Sequence, residues 1–325
     1  MKRREFFSFA AAAAMLPAAS RLAWSQGYPN RPVTIVVPFA AGGPADALAR
    51  IMGDRMRVAL GKQVVIENMV GGGGSVGVGR IVRSAPDGYT VGIGHWTTHV
   101  INGAIYDLPY DLVRDLEPVV QLPATPQLVV SKNGVPAKNL NELIAWLKDR
   151  KVSAGTAGPG SGSHVAGVLF ENLTGTHFTF VPYRGTGPAM NDLIAGQIDL
   201  IIDQASNALP QVRAGTIRAY AVTAKARLAS APDIPTVDEA GLPGFYTSVW
   251  HGLWVPKGTP RDIIAKLNAA AVAAMADREV QERMATLGLD IPPRDQQSPE
   301  ALGALQKAEI EKWWPIVKAA HINAE

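Results

Sequence analysis

Three loops of small residues carry the pattern with the clearest chemical meaning in this chain. Each follows an apolar, strand-like segment and precedes a helix-like one; they are 39–45 (FAAGGPA), 71–75 (GGGGS) and 156–163 (TAGPGSGS). Each therefore places backbone N–H groups at a helix start, where the first amides have no intrahelical partner and the helix dipole favours negative charge. None of the loops holds a complete set of catalytic side chains. Together they predict binding of a small anion.

Basic side chains are nearly absent from the candidate loops. Arg184, in the loop before a predicted helix at Pro188, is the only one, and it either faces the anion or is solvated at the surface. A carboxylate would then be held mainly by backbone N–H and hydroxyl groups, with bridging water. About four to six charge-assisted hydrogen bonds of roughly 1.5–3 kcal/mol each suffice for micromolar affinity. Asp46 either pairs with Arg50 four residues later, or it caps loop amides or accepts a ligand donor.

The glycine-rich segment also matches two enzyme motifs. Gly72–Gly77 fits G-x-G-x-x-G after a strand, as in a dinucleotide-binding loop, but the next strand ends in Gly94, His95 and Trp96 rather than an acid. The same segment fits G-x-S-x-G around Ser75, the motif of a serine hydrolase. The alternatives are thus an exported NAD(P)-dependent oxidoreductase and a hydrolase.

The six histidines show no spacing typical of a zinc site, so no metal is expected. Packing or capping is the expected role of most of them. His164 differs because it opens a helix beside Ser161 and Ser163, from where it can face a cleft.

Alternation of strand and helix patterns indicates how these loops are positioned. Strands at 33–39, 63–68 and 89–95 alternate with helices at 45–60 and 75–84, and a second series of the same kind runs from 139 to 203. The tail returns with a strand at 248–256 and helices at 260–275, 278–287 and 299–320. Continuous apolar strands joined by helices predict an α/β fold with mostly parallel sheets.

Insertion of the second series into the first implies two lobes. We expect residues 26–122 and 245–325 to form lobe 1 and residues 123–244 to form lobe 2. The chain would cross between them near 119–126 and 222–245, which predicts a hinge and a cleft that closes.

The N-terminus and the charge balance indicate the compartment. Residues 1–25 contain basic residues followed by an alanine-rich apolar stretch, which predicts a signal peptide cleaved near Ser25, with Arg3 and Arg4 matching a twin-arginine signal. These residues also carry the whole formal net charge of +3, so the remainder is neutral and no nucleic-acid partner is expected. The chain has no cysteine, which excludes disulfides and thiol catalysis.

The motifs taken together resemble Bug-type solute receptors, the periplasmic binding components of tripartite tricarboxylate transporter systems. The resemblance covers the whole chain after the signal. Its strongest carriers are 31–50 (RPVTIVVPFAAGGPADALAR), 68–77 (NMVGGGGSVG), 84–90 (SAPDGYT), 157–167 (AGPGSGSHVAG), 181–200 (VPYRGTGPAMNDLIAGQIDL), 217–223 (IRAYAVT), 234–241 (IPTVDEAG) and 250–260 (WHGLWVPKGTP).

The resemblance implies a monomeric, non-enzymatic, two-lobed α/β receptor with a periplasmic-binding-protein-like fold and no cofactor. It would close on a small organic mono- or dicarboxylate in the periplasm and deliver it to transporter subunits or to a sensor. The implied ligand-binding residues are Phe39, Ala40, Gly42, Gly43, Ala45, Asp46, Gly72, Gly73, Gly74, Ser75, Trp96, Thr97, Ser161, Ser163, His164, Arg184, Gly185 and Asp203.

Two departures from the family pattern bear on the ligand. Ala45 stands where the family often has threonine, and Val70–Gly73 replaces a Pro-Gly-Ala-Gly loop, so a hydroxyl donor is missing and the second loop is looser. In the loop 95–98 (HWTT), which commonly helps to set ligand identity in the family, Trp96 suits a ring or apolar body. The expectation is therefore an aromatic or bulky carboxylate, with a simple dicarboxylate of four to six carbons as the alternative.

Overall fold

The computed structural model describes residues 27–319 and Ile322, so the predicted signal peptide lies outside the described residues. The strands in this part of the chain are β1 (Val33–Val37), β2 (Val64–Asn68), β3 (Thr90–His95), β4 (Leu116–Lys132), β5 (Val152–Thr156), β6 (Phe178–Pro182), β7 (Leu200–Gln204), β8 (Ile217–Val222) and β9 (Ser248–Pro256). The α-helices are α1 (Pro44–Leu60), α2 (Ser75–Val82), α3 (Asn102–Ile105), α4 (Leu140–Lys148), α5 (Gly162–Thr174), α6 (Thr186–Ile194), α7 (Ala205–Arg213), α8 (Arg261–Ala276), α9 (Arg278–Thr286) and α10 (Pro299–Ala319).

The strands join in the order β2-β1-β3-β9-β4-β7-β5-β6, with β8 also paired to β4. Strands β1, β2 and β3 are parallel, as are β5, β6 and β7, whereas β4, β8 and β9 pair antiparallel to their neighbours. The two parallel groups match the prediction of a two-lobed α/β fold. Their strands are nearly continuous in apolar residues because helices cover both faces of each group.

Strand β4 belongs to both halves of this sheet. Its first half pairs with β9 from Leu116 to Pro126, and its second half pairs with β7 and β8. The sequence predicts a chain crossing near 119–126, in a run that contains Pro123 and Pro126, which cannot donate ladder hydrogen bonds. The prolines are accommodated where the pairing with β9 shifts register, between Pro118 and Val120 and between Leu122 and Thr125. The first chain crossing is therefore a strand.

Each half of the sheet has a hydrophobic core on either face. In the first half, one core packs α1, α8 and α9 on the sheet and the other packs α2 and α10 on the opposite face. In the second half, α4 and α5 cover one face and α6 and α7 cover the other. These cores hold the ends of the strands, and hence the loops, in place. None of the described helices is both long and apolar enough to cross a membrane.

Candidate functional site

The two halves of the molecule close on each other along the predicted loops. The amide of Ala40 donates to the carbonyl oxygen of Arg184 at 3.0 Å, and the Tyr106 hydroxyl donates to that of Pro159 at 2.6 Å. At another contact between the halves the backbones approach so closely that only glycine fits. A Cβ added at Gly187 would lie 2.9 Å from the carbonyl carbon of Gly42. The cleft predicted from the two chain crossings is therefore present, and it is closed.

A small, nearly filled cavity remains between the closed halves. Its lining residues are Phe39, Gly43, Pro44, Ala45, His95, Gln127, Ala157, Ser161, Gly162, Ser163, Thr186, Asp203, Gln204 and Val249. Among the described residues, no lysine or arginine lines it, and Asp203 is its only acidic residue.

Three helix starts meet at this cavity. Helix α1 begins after Gly43, α5 begins after Ser161, and α6 begins at Thr186, and each of these three residues lines the cavity. The amides of the first turn of a helix have no intrahelical acceptor, and the helix dipole gives them a partial positive charge. The cavity can therefore hold an anion without a basic side chain.

Asp46 fixes the first loop and is not available to a ligand. Its carboxylate accepts hydrogen bonds from the Gly42 amide at 3.0 Å, from Arg50 at 2.9 Å and from the Asn68 side chain at 3.0 Å. Burial alone would raise the pKa of Asp46, but these hydrogen bonds outweigh burial and hold its pKa below the ordinary value. Both interpretations offered by the sequence, the pair with Arg50 and the cap on loop amides, thus apply together.

The third loop is organised by two serines. The Ser161 hydroxyl caps α5 by accepting from the His164 amide at 3.4 Å, and the Ser163 hydroxyl accepts from the Ala157 amide at 2.9 Å. The two hydroxyl groups are hydrogen bonded to each other at 3.2 Å, so one of their two hydrogens is used between them. The other hydroxyl hydrogen is left for a ligand oxygen.

His95 was not predicted as a ligand contact, yet it lines the cavity with its ring stacked on Phe39 at 4.9 Å between centroids. The Thr97 amide donates to its Nδ1 at 3.2 Å. Burial, with His251 and His99 nearby, places the pKa of His95 well below the ordinary value, so the ring is neutral. Since Nδ1 accepts, the ring proton lies on Nε2, and His95 adds a neutral donor to the lobe 1 wall.

Asp203 is the penultimate residue of β7 and is 1% exposed. Burial raises its pKa to about 6, although hydrogen bonds from Asn207, Thr186 and the Gln204 amide act in the opposite direction. The Gln204 amide donates to it at 2.8 Å. No lysine or arginine of the described residues accompanies Asp203 in the cavity lining. The second half of the molecule therefore presents a hydrogen-bond acceptor, the Asp203 carboxyl group, in the cavity lining.

The second loop closes the cleft but does not line the cavity. Gly72–Gly74 form a 3-10 turn before Ser75, and Gly73 lies so close to the Pro159 carbonyl oxygen that a side chain would overlap it. The Asn102 side chain donates to the Gly73 carbonyl oxygen at 3.0 Å. Gly73, one of the predicted ligand-binding residues of this loop, thus contacts the opposite lobe at the rim of the cleft. Ala40, Gly42 and Gly185 lie at the same rim, next to the contact between Ala40 and Arg184.

The structure places four other predicted residues away from the cavity. Trp96 is 1% exposed and packs edge-on against Trp313, because the chain enters a π-helical turn at 97–101 where the sequence had indicated a loop. The Thr97 hydroxyl group is hydrogen bonded to Nδ1 of His95 at 2.9 Å. The His164 ring contacts Phe180, and its Nδ1 accepts from the Gly160 amide.

Arg184 contributes its carbonyl oxygen to lobe closure, while its side chain is exposed. Trp250 also lies in the core of the first half.

Sequence reasoning missed the contacts that come from strands. Gln127, Gln204 and Val249 lie on β4, β7 and β9, and they line the cavity only because these strands are neighbours. Thr186 was passed over in favour of Gly185. The only available signal was its position at a helix start after a glycine.

The comparisons with known proteins agree with this geometry. The model of the tripartite tricarboxylate transporter family receptor matches residues 48–322. MatC from Rhodopseudomonas palustris, solved with bound malate, is 40% identical, with a TM-score of 0.85 over 89% of this chain and 100% of that one. BugD, a periplasmic binding protein, is 39% identical, with a TM-score of 0.88 over 91% and 99%. A second R. palustris protein, solved with adipate, is 32% identical, with a TM-score of 0.86 over 91% and 99%.

Proposed function

The chain belongs to the tripartite tricarboxylate transporter receptor family, and we propose that it is a monomeric periplasmic receptor that closes on a small organic carboxylate. One observation carries the choice of ligand class: three helix starts meet at a closed cavity that, within the described residues, has no lysine or arginine in its lining. Such a site favours an anion small enough to be surrounded by amides and hydroxyl groups.

We assign the carboxylate of the ligand to the amides at the starts of α1 and α5, with one hydroxyl group of the Ser161–Ser163 pair as a further donor. His95 contributes the Nε2 proton from lobe 1. The glycines of the second loop, with Ala40 and Gly185, act at the rim, where they let the lobes meet. In this proposal, residues 26–122 and 245–325 form lobe 1 and residues 123–244 form lobe 2.

A simple acid of four to six carbons now fits better than an aromatic one. The aromatic expectation depended on Trp96, which lies in the core. The related R. palustris proteins were solved with malate and with adipate, which have four and six carbons. The ligand would be handed to membrane transporter subunits or to a sensor after export by the N-terminal signal, with cleavage near Ser25.

The experiment is a thermal-shift screen of organic acids followed by titration calorimetry, with one site variant and one matched control. Gly162→Asp places a carboxylate at the first position of α5, where the dipole tolerates it and where an added Cβ has only ordinary contacts. Gly134→Asp makes the same change at an exposed turn. We expect the first variant to lose acid binding while remaining folded, and the second to bind normally.

Two results would count against the receptor. One is the absence of a thermal shift with every acid, since a ligand at about 100 times its dissociation constant should add roughly 2.7 kcal/mol of stability. The other is enzymatic behaviour, seen as NAD(P) binding at Gly72–Gly77 or labelling of Ser75 by a serine-reactive phosphonate.

A further inference from the structure

Two stretches of chain connect the halves of the molecule, and they lie side by side where they do so. They are the middle of β4 and the start of β9, which pair antiparallel with Thr125 opposite Val249 and Pro126 opposite Ser248. Rotation of one half against the other must bend both stretches. The hydrogen bonds on either side of these pairs show where the bend can lie.

On the side of the first half, β4 is held as far as Ala124. The Ala124 amide donates to the carbonyl oxygen of Asp290 at 3.0 Å, and the Asp290 amide donates to that of Ala124 at 2.7 Å. The carbonyl oxygen of Pro123 lies 2.8 Å from Nδ1 of His251, a residue of β9. Since a carbonyl oxygen can only accept, this Nδ1 carries the proton. These bonds attach β4 to the first half up to residue 124.

On the side of the second half, both stretches are bonded to one hydroxyl group, that of Thr223. Thr223 directly follows β8 and is 1% exposed. Its Oγ1 accepts from the Gln127 amide at 2.9 Å and donates to the carbonyl oxygen of Thr247 at 2.7 Å. The carbonyl oxygen of Gln127, at 3.1 Å, is the more distant of its two possible acceptors. A single buried side chain thus joins both connecting stretches to the second half.

Between these anchors lie two residues of each strand, 125–126 and 248–249. The pairing of β4 with β9 is weakest here, because its register shifts just before Thr125 and because Pro126 has no amide hydrogen to donate. The side-chain hydrogen bonds of this segment are long. They measure 3.3 Å from the Thr125 hydroxyl to the Pro126 carbonyl oxygen and 3.4 Å from the Ser248 hydroxyl to that of Thr125. Hinges are usually a few residues of this kind, which take up the change in backbone angles.

We infer that the halves rotate about a hinge formed by 125–126 and 248–249, and that the Thr223 hydroxyl is the positioning group that makes both strands bend there together. Without this hydroxyl the strands still connect the halves, but each can bend at its own place, so the angle between the halves is less well defined. Gln127 lines the cavity, so the same hydroxyl also fixes the cavity wall relative to the hinge. The inference concerns the closing motion of the proposed receptor. Its test needs no ligand, so the two can fail separately.

The test measures the spread of distances between the halves in the full, ligand-free protein. The chain has no cysteine, so spin labels can be attached at introduced cysteines. Val58→Cys and Leu173→Cys place one label on each half, at side chains that are 63% and 52% exposed. Electron paramagnetic resonance then gives the distance distribution. Thr223→Val removes the hydroxyl group and keeps the shape, and we expect it to broaden this distribution, whereas Thr223→Ser should retain the native width.

Thr259→Val is the matched control. Thr259 is also buried, and its hydroxyl donates to the carbonyl oxygen of Pro256 at 2.8 Å, entirely within the first half. This variant should keep the native width even where urea unfolding shows an equal loss of stability. Equal broadening in both variants, or a native width in Thr223→Val, overturns the inference.

Hydrogen exchange of the unsubstituted protein is a second test, which does not depend on the folding of Thr223→Val. The amides of Gln127, Thr223 and Thr247 lie outside the inferred hinge, so bending should not expose them. We expect them to exchange within about tenfold of the rate of the amides of β7. Faster exchange of all three would mean that the bonds at Thr223 open as the halves move, and the inference would then be wrong.

Discussion

The Tyr106 hydroxyl and the Pro159 carbonyl oxygen lie 2.6 Å apart and form a hydrogen bond between the two halves of the molecule. Tyr106→Phe removes this bond and keeps the ring, so it should weaken the closed form. A hydrogen bond contributes about 0.5–1.5 kcal/mol, which corresponds to roughly a two- to tenfold loss of ligand affinity. Calorimetry measures the loss, and small-angle scattering should show a larger radius for the ligand-free variant.

Tyr28→Phe is the matched control for this change. Its hydroxyl also donates to a carbonyl oxygen, that of Gly88 at 2.7 Å, but within the first half of the molecule. Equal losses of affinity in the two variants would show that Tyr106 has no particular part in closure.

Gly73→Ala should prevent full closure, because its Cβ would overlap the Pro159 carbonyl oxygen. Gly61→Ala is the control, since both glycines have positive φ, 56° and 64°, but an added Cβ at Gly61 meets nothing within 4 Å. Both variants should lose about 1 kcal/mol of stability from backbone strain. Only Gly73→Ala should also lose ligand affinity. Normal binding by Gly73→Ala would contradict the closed geometry described here.

Asp46→Ala should destabilise the protein and disorder the first loop. It leaves the Gly42 amide without its acceptor and removes one of the two acceptors of the Asn68 side-chain nitrogen, at a cost of about 2–4 kcal/mol in the free energy of unfolding. Asp54→Ala is the control. Asp54 lies on the exposed face of the same helix, so its substitution should change stability by no more than about 0.5 kcal/mol. Urea unfolding compares the two. Similar values would mean that Asp46 is not a structural cap.

The stability contributed by Asp203 should fall as pH rises. Burial raises its pKa to about 6, so the folded protein holds this proton more tightly than the unfolded chain does. The favourable contribution is present below about pH 4 and is lost between about pH 4 and pH 6. The stability of Asp203→Asn relative to the native protein should therefore increase over this interval, by about 1–3 kcal/mol in urea unfolding.

Asp199 provides a control with the opposite sign. Burial alone would raise its pKa, but hydrogen bonds from Lys132 and Ser153 hold the pKa below its ordinary value. Its contribution is therefore lost as pH falls, and Asp199→Asn should become relatively less stable as pH rises through the acidic range. A pH-independent difference for Asp203→Asn would contradict the assigned burial of its charge.

The helix starts at the cavity could be predicted because their signals are local. Small residues before α1 and the Ser161 cap before α5 fix the backbone within a few residues, and both helices begin within two residues of the predicted positions. The strand contacts could not be predicted in the same way. Gln127 and Gln204 are far apart in the sequence, and only the pairing of β4 with β7 brings them together.

Trp96 shows a different limit of sequence reasoning. A tryptophan after a strand end looks like a ligand contact, but the π-helical turn that follows rotates it into the core against Trp313. Short helical segments of this kind have no clear sequence period. Helix α7, with Pro210 inside it, escaped prediction for a similar reason.

Because β4 contributes ladder hydrogen bonds to both halves of the sheet, neither half is complete without it. A fragment cut at residue 122 would deprive one half of a central strand and leave the other with an exposed edge, which favours aggregation. The protein should therefore unfold as one cooperative unit, and any bending between its halves would have to deform this shared strand.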